Sequence, residues 1–201
     1  MNIAIFASGR GTNFSAILRA ARKGKIKAEI KLLVCDNPKA GVLKKAKRAG
    51  VNTALIKKED FPLKENFEAK IIERLEENKI DLIVLAGFMR ILSPAFVSKY
   101  KNRILNIHPA LLPSFKGAEA IKDAFDYGAK VTGVTAHFVD EEMDHGPIIL
   151  QAPVRIEADD TLESLESRIH KIEHKLYPEA ISLFVEGKLK VEGRIVRIAT
   201  Q

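Results

Sequence analysis

The residues best suited to chemistry lie in one short segment near the middle of the chain. Asn106 and His108 lie two positions apart in Ile104–Pro109, and the remaining four residues of this segment are all apolar. Side chains two apart on a β-strand leave the same face, and a proline is typical of a strand end. An amide and a protonated imidazole can both donate hydrogen bonds to an oxyanion. A lone histidine of this kind is more often a satisfied core residue, but the neighbouring amide favours a catalytic pair.

An acidic segment, Asp140–Pro147, separates two later apolar runs. Taken by itself it predicts a solvated loop. If the loop folds over the end of the Asn106–His108 strand, one of its acids could keep the imidazole protonated, because a nearby carboxylate favours the charged form.

A glycine-containing segment, Ser8–Asn13, lies between the first apolar run and a helical pattern. Such loops let backbone N–H groups approach a phosphate closely. The spacing departs from the dinucleotide fingerprint, because Phe14 occupies the place of the third glycine. Asp36 ends the second apolar run, where a ribose-binding acid would lie, so a nicotinamide-dependent oxidoreductase stays open. A tight turn without a ligand is the simpler alternative.

A second candidate site is the segment His170-Lys171-Ile172-Glu173-His174. Its form matches one class of zinc peptidases, and histidines four apart share a helix face. A zinc site needs a third ligand from elsewhere, so a partly exposed helical pair is the simpler interpretation. A non-catalytic nucleotide-binding module is a third alternative, but it leaves Asn106 and His108 without a purpose.

The elements that must position these residues alternate along the chain. Apolar strand-like runs are Ile3–Ala7, Ile30–Cys35, Thr53–Ile56, Leu82–Ala86, Ile104–Ile107, Val131–Val139 and Ile148–Val154. Amphipathic helical stretches are Phe14–Arg22, Val42–Ala49, Lys64–Asn78, Ala118–Tyr127 and Thr161–Glu186. This pattern predicts an α/β fold with a doubly wound, mostly parallel sheet. No helix separates the last two runs, so we expect them to be antiparallel. Leu189–Val191 and Ile195–Ile198 predict a terminal hairpin.

Ligands of open α/β sheets bind beyond the carboxyl ends of the strands, where the strand order reverses. We therefore expect the ends of the first, fourth and fifth strands, at Ala7, Ala86 and Ile107, to meet at one cleft.

The composition indicates one domain over residues 1–201. Hydrophobic residues make up 46% and charged residues 29%, and neither a signal peptide nor a membrane span is evident. The net charge of +7 suits anionic ligands. The densest basic group, Lys44, Lys45, Lys47 and Arg48, predicts a solvated helix face and not a nucleic-acid patch. The one cysteine, Cys35, predicts a buried reduced thiol and a cytoplasmic protein. For the assembly, we expect either a monomer or a homodimer.

Several segments together resemble the folate-dependent formyltransferase family. They are Leu85–Pro94, Asn106–Pro113, Ser114–Gly117, Gly133–Val139 and Asp144–Ile149. The resemblance runs from the first strand to Tyr177-Pro178. Two positions depart from the family pattern: Ala110 stands where serine is usual, and Glu119 where histidine is frequent, so Glu119 is given no role.

The resemblance implies transfer of a formyl group from 10-formyltetrahydrofolate, in a Rossmann-like fold. Gly9–Asn13 resembles the loop that binds the phosphate of glycinamide ribonucleotide, which implies a glycinamide amine as the acceptor in purine biosynthesis. Family members that act on tRNA, or that hydrolyse the folate, carry a further domain for which this length leaves no room. We therefore expect small-molecule substrates, with no nucleic-acid and no membrane partner.

The resemblance also implies roles for individual residues. Asn106, His108 and Asp144 would be catalytic; Gly11, Thr12 and Asn13 would hold the phosphate; Glu173 would contact the ribose or glycinamide; Met89, Arg90, Ile91, Leu92, Lys64 and Asn106 would contact the folate. Lys64 is also a possible charge partner of the phosphate. The family implies a cis peptide at Leu112-Pro113 and needs no metal.

Overall fold

The computed structural model of the chain describes residues 1–199. Its strands are β1 (Asn2–Phe6), β2 (Glu29–Cys35), β3 (Asn52–Leu55), β4 (Leu82–Leu85), β5 (Ile104–His108), β6 (Val131–Phe138), β7 (Ile148–Arg155), β8 (Leu189–Glu192) and β9 (Ile195–Ile198). Its α-helices are α1 (Thr12–Arg22), α2 (Gly41–Ala49), α3 (Lys64–Glu77), α4 (Pro94–Lys99), α5 (Ala120–Asp126) and α6 (Leu162–Val185), and Lys58–Asp60 forms a short 3₁₀ helix.

All nine strands of the described chain form one sheet, in the order β3-β2-β1-β4-β5-β6-β7-β9-β8. Strands β1 to β5 are mutually parallel, whereas β6 is antiparallel to both β5 and β7. The predicted mostly parallel sheet with antiparallel last strands is confirmed. The strand order reverses beside β1, which pairs with β2 on one side and β4 on the other. The carboxyl ends of β1, β4 and β5 are therefore adjacent, as predicted.

Both faces of the sheet are covered, because side chains alternate along each buried strand. In β1, Ile3 and Ile5 belong to the core cluster that contains residues of α1, α2 and α6. Ala4 and Phe6 belong to the opposite cluster, which contains residues of α3 and α4. In β1 and β4, residues 3–6 and 82–85 are all apolar and buried, so polar groups follow these two strands only where they stop.

The helix α6 is fastened directly to the site-bearing strands. Tyr177 is fully buried, and its hydroxyl lies 2.8 Å from the Leu85 carbonyl oxygen and 2.9 Å from that of Leu105. These acceptors belong to β4 and β5. The hydroxyl therefore fixes the position of α6 across the two strands that lead into the cleft. None of the helices within residues 1–199 is both long enough and apolar enough to cross a membrane.

The structure differs from the sequence prediction at α4, which was not predicted. Ser93 caps this helix by accepting a hydrogen bond from the Phe96 N–H at 3.1 Å, and Pro94 occupies its first turn. Six residues are too few to show a helical period. The helix predicted over Ala118–Tyr127 is shorter, at Ala120–Asp126. The predicted terminal hairpin is present, and it extends the sheet beyond β7.

Candidate active site

The glycine loop is shaped for an anion at the start of α1. Gly11 precedes the helix with a left-handed φ of 71°, and no side chain caps the helix. The first backbone hydrogen bond of α1 runs from the Ser15 N–H to the Gly11 carbonyl at 3.2 Å. The N–H groups of Thr12 and Asn13 precede it and point out of the helix end. A phosphate would accept from these donors and gain from the helix dipole.

Gly11 is required here by its surroundings as well as by its φ. A Cβ atom at this position would lie 2.5 Å from Val42 Cγ2 of α2. The same helix contributes Lys45, whose Nζ donates to the Gly11 carbonyl at 3.2 Å. Sequence reasoning assigned Lys45 to a solvated helix face, and the structure corrects this. The neighbours Lys44, Lys47 and Arg48 are exposed, as predicted.

Asn13 connects the phosphate loop to α6. Its Nδ2 donates to Glu173 Oε2 at 3.0 Å, and both side chains are buried. His170 Nδ1 donates to the same oxygen at 3.0 Å, and this bond raises the pKa of the imidazole. Glu173 Oε1 accepts no hydrogen bond from residues 1–199 and is thus free to accept one from a ligand hydroxyl. The structure therefore brings Asn13 and Glu173 together, although 160 residues separate them.

The loop that follows β4 is tied to the phosphate loop through Ser8. The Ser8 N–H donates to the Gly87 carbonyl at 2.9 Å, and the Ser8 hydroxyl accepts from the Met89 N–H at 3.0 Å. Arg90 Nε donates to the buried Asp36 at 2.6 Å. Asp36, proposed as a ribose-binding acid in the oxidoreductase alternative, is thus paired with this loop. The sequence analysis included Ser8 in the glycine loop but gave its side chain no separate role; the available signal was its place two residues after the end of β1.

Residues 89–91 are exposed, and the backbone of residues 90–92 is unpaired within the described part of the chain. Met89 is 70% and Ile91 67% exposed, whereas Leu92 packs into the core. The backbone N–H and C=O groups of Arg90, Ile91 and Leu92 make no hydrogen bond within residues 1–199. Such a strip of free donors and acceptors can read the edge of a flat heterocycle.

Lys64, the first residue of α3, is connected to the end of this loop through Glu68. Its Nζ is 4.0 Å from Oε1 of Glu68, a buried carboxylate on α3. Glu68 in turn accepts hydrogen bonds from the N–H and the hydroxyl of Ser93. Of the two partners considered for Lys64, the structure therefore favours a ligand on the 89–92 loop over the phosphate.

Asn106 is held by a histidine that the sequence analysis did not select. Asn106 Nδ2 donates to His137 Nε2 at 3.2 Å, and His137 Nδ1 donates to the Phe138 carbonyl at 2.7 Å. With one ring nitrogen donating and the other accepting, His137 is neutral. Burial lowers the pKa of its imidazole, which keeps it in that state. The second hydrogen on Asn106 Nδ2 remains for a ligand. His137 faces Asn106 across the β5–β6 pair, a register that the sequence does not show.

His108 and Asp144 meet at the end of β5. His108 is 4% exposed, and its Nδ1 lies 3.4 Å from Asp144 Oδ2. This separation is an ion-pair distance, longer than a normal hydrogen bond; catalytic contacts are often long without substrate. His108 Nε2 donates to the Phe115 carbonyl at 2.7 Å. The Gly117 N–H donates to Asp144 Oδ2 at 2.9 Å, which orients the carboxylate. The three predicted catalytic side chains therefore share one site.

The other sequence-level alternatives are less well supported. Within the described residues, no group of three or more His, Cys, Asp or Glu side chains is placed to hold a metal ion. Histidines 170 and 174 thus lack a third ligand there, and Glu173 is bonded to Asn13. Cys35 is buried and unpaired, as predicted, and burial raises the pKa of its thiol. The Leu112-Pro113 peptide is cis, in agreement with the resemblance.

Comparison with known proteins agrees with this geometry. A family model described as formyl transferase matches residues 1–181. A phosphoribosylglycinamide formyltransferase of Bacillus subtilis (strain 168) is 45% identical over 178 residues, 89% of this chain and 91% of that protein. The crystal structure of glycinamide ribonucleotide transformylase 1 from Symbiobacterium toebii matches with a TM-score of 0.97 at 45% identity, covering 100% of this chain and 94% of that one. The trifunctional purine biosynthetic protein adenosine-3 of Gallus gallus is 45% identical over 193 residues, 95% of this chain and 19% of that protein.

Fold and site together define an α/β enzyme of the group-transfer class. More specifically, the chain belongs to the formyl transferase family. The family and the enzyme class predicted from the sequence are thereby confirmed. The roles of individual site residues stay predictions, and the geometry above is the basis for the proposals that follow.

Proposed function

We propose that the protein transfers the formyl group of 10-formyltetrahydrofolate to the glycinamide amine of 5'-phosphoribosylglycinamide, in de novo purine biosynthesis. One observation carries the proposal: Asn106, His108 and Asp144 converge between a phosphate loop and a backbone-lined loop. Two substrates bound to those loops would meet at this cluster. The similarity to phosphoribosylglycinamide formyltransferases supports the same pair of substrates.

The ribonucleotide would bind along α1 and α6. The backbone of Gly11, Thr12 and Asn13 would donate to its phosphate, and the cationic Lys45 beside Gly11 adds favourable charge. Glu173 Oε1 would accept from a ribose hydroxyl or from the glycinamide. Because Asn13 and His170 both bind the other oxygen, the carboxylate is fixed before the ligand arrives.

The folate would bind on the other side of the cluster. The free backbone groups of Arg90, Ile91 and Leu92 would pair with the pterin edge, and exposed Met89 and Ile91 would cover its apolar faces. Lys64, on the same side, would contact the glutamate carboxylates. The formyl group would then lie near Asn106.

The reaction requires an oxyanion site and a proton acceptor. As the amine attacks the formyl carbon, the carbonyl oxygen becomes an oxyanion, and the free Asn106 Nδ2 hydrogen would bind it. His108 would give it a second hydrogen bond, presenting its Nε2–H to the oxyanion in place of the Phe115 carbonyl. Asp144 would balance the charge of the imidazolium and accept the amine proton, directly or through water. The tetrahedral intermediate then collapses, and the proton taken up by Asp144 passes to the folate nitrogen, directly or through water, so that this nitrogen leaves in its N–H form.

No metal enters this scheme, because both oxyanion donors come from the protein. We expect activity to be unchanged after dialysis against a chelator. Loss of activity on chelation, restored by stoichiometric zinc, would contradict this and would direct attention to His170 and His174. A cytoplasmic location and small-molecule substrates are part of the same proposal, and the buried free thiol of Cys35 suits a reducing compartment.

The decisive experiment is an absorbance assay for tetrahydrofolate release with glycinamide ribonucleotide as acceptor. We expect turnover that depends on both substrates and no release when the acceptor is omitted. Release at the same rate without the acceptor would indicate a hydrolase, and absence of release in both cases would refute formyl transfer.

A further inference from the structure

The loop that carries Asp144 is held by a segment outside the part of the chain that the family model matches. That match ends at residue 181, whereas the C-terminal hairpin consists of β8 and β9, Leu189–Glu192 and Ile195–Ile198. The strand β9 pairs in parallel with the first residue of β7, through Ile148 and Ile195. The turn of the hairpin therefore lies beside residues 140–147, which lead into β7.

Arg194, in the hairpin turn, makes the connection. Its Nη2 donates to the His145 carbonyl at 2.6 Å, and its Nη1 lies 3.0 Å from His145 Nε2. His145 Nδ1 is 2.7 Å from Asp140 Oδ2 and donates to that carboxylate. The imidazole therefore lies between the Asp140 carboxylate and the Arg194 guanidinium, whose Nη1 is also 3.3 Å from His145 Nδ1. Asp140 Oδ1 also accepts from the Glu142 N–H at 3.1 Å. The contacts of Arg194 therefore extend through His145 to Asp140, at the start of the loop.

The loop needs external support because its conformation is strained at the catalytic residue. Asp144 has a φ of 49°, in the left-handed region that non-glycine residues rarely adopt. Gly146, two residues after Asp144, has no room for a side chain, since a Cβ atom there would lie 1.9 Å from the Phe138 carbonyl oxygen. Such a backbone persists only when its surroundings hold it, and Arg194 binds the residue directly after Asp144.

We propose that Arg194 is a positioning residue for formyl transfer, which holds the His145 backbone so that Asp144 stays beside His108. The proposal rests on the function proposed above. The hydrogen bonds of Arg194 go to His145 and not to the residues proposed to bind either substrate, so its loss should affect kcat and leave the KM for the ribonucleotide nearly unchanged.

The test compares Arg194→Ala with Arg197→Ala. Arg197 is the matched control, because it lies in the same hairpin and its Nε donates to Glu192 at 2.7 Å, away from the loop. We expect Arg194→Ala to lower kcat by about three- to ten-fold, the effect of losing roughly one hydrogen bond. Amide hydrogen exchange of residues 140–146 should become faster in Arg194→Ala and not in Arg197→Ala. Arg194→Lys keeps a donor for the His145 carbonyl and should recover part of both properties.

Two results would overturn the proposal. One is an Arg194→Ala protein with the kcat and the exchange of the wild type. The other is an equal loss in Arg197→Ala, which would mean that the hairpin acts only as a whole. The exchange measurement needs no turnover: a wild-type protein without formyl transfer refutes the proposed function, whereas an active wild type with an unaffected Arg194→Ala protein refutes the positioning role alone.

Discussion

The parallel and antiparallel halves of the sheet build their parts of the site differently. The proposed phosphate loop of the parallel half is one contiguous segment, residues 8–13, and the groups proposed to bind the phosphate are backbone N–H donors at a helix end. The proposed catalytic cluster lies where the two halves meet, is assembled from β5, β6 and the loop before β7, and depends on side chains. Local geometry fixes the loop of residues 8–13, whereas strand register and the support of the Asp144 loop fix the cluster.

This difference means that binding and chemistry should be separable by mutation. Changes to backbone freedom at the phosphate loop should weaken the ribonucleotide complex and spare kcat. Changes to side-chain charge at the cluster should lower kcat and leave the affinity for the ribonucleotide nearly unchanged.

The largest effect is expected at the His108–Asp144 pair. Asp144→Asn keeps the size of the side chain and removes its charge, so kcat should fall by roughly 10²- to 10⁴-fold, the usual contribution of acid–base catalysis. The KM values should change little. His108→Asn should give a similar loss, and the double mutant should be far from multiplicative, because the two residues act as one unit.

Steady-state kinetics of the four proteins measures this, with Glu141→Gln, at an exposed carboxylate of the same loop, as the control. An Asp144→Asn rate within a few-fold of the wild type, or losses that simply multiply, would show that the pairing is wrong. Asp140 would then be the first alternative proton acceptor.

A contrasting effect is expected at Gly11. In Gly11→Ala the alanine would have to adopt the left-handed φ of Gly11. Its Cβ atom would also lie 2.5 Å from Val42 Cγ2. The helix start must shift, so the KM for the ribonucleotide should rise by about ten-fold or more, and the protein should lose about 1–3 kcal/mol of stability.

Gly9→Ala is the matched control, because a Cβ there meets nothing within 4 Å. Kinetics and urea denaturation of both variants measure the difference. Folate binding should be unaltered in each, and equal KM values for the two variants would show that the shape of this loop does not set ribonucleotide affinity.

A smaller effect is expected at Glu173. Glu173→Gln removes the carboxylate charge, so the KM for the ribonucleotide should rise by about ten-fold, as for loss of a hydrogen bond to a charged group. The pKa of His170 should fall, because the bond to Glu173 is the main cause of its raised value. NMR titration of the histidines checks the second outcome, with Glu166→Gln as the control. A His170 pKa that moves equally in both variants would contradict the assigned contact.

The smallest effect concerns stability and pH at His137. Burial lowers the pKa of this imidazole in the folded state, so below about pH 6.5 the unfolded chain binds a proton that the native protein does not. The free energy of unfolding should therefore decrease as the pH falls through this range. His137→Gln, which keeps an acceptor for Asn106, should lack that part of the pH dependence. Urea denaturation at pH 7.5 and 5.5 measures both proteins, and identical pH dependences would contradict the neutral assignment.

Much of the fold could be predicted from local patterns. The strand runs and the five longer helices are visible because apolar positions repeat with the period of each element. The six-residue α4 was missed, since fewer than two helical turns cannot show a repeating pattern of apolar residues. At the site, Asn106 and His108 could be predicted from their spacing on one strand. The place of Asp144 beside them came only from the family resemblance, since nothing between residues 108 and 144 encodes the contact locally.

The residues that sequence reasoning missed share a physical cause. His137 acts through cross-strand register, Lys45 through the packing of α2 on the phosphate loop, and Arg194 through the pairing of β9 with β7. In each case the partner is remote in sequence, so its type and spacing carry no signal.

The elements, the strand ends that bear polar groups and the glycine loop before α1 can be recognised in the sequence alone, because periodicity, turn chemistry and helix-end donors are local properties. Which side chains meet depends on the tertiary structure. The 3.4 Å approach of His108 to Asp144 and the shared carboxylate of Glu173 depend on distances between segments that are set by packing of the whole sheet and its helices. Electrostatic and hydrogen-bond energies fall steeply with those distances, so the chemistry of the site is a property of the folded chain.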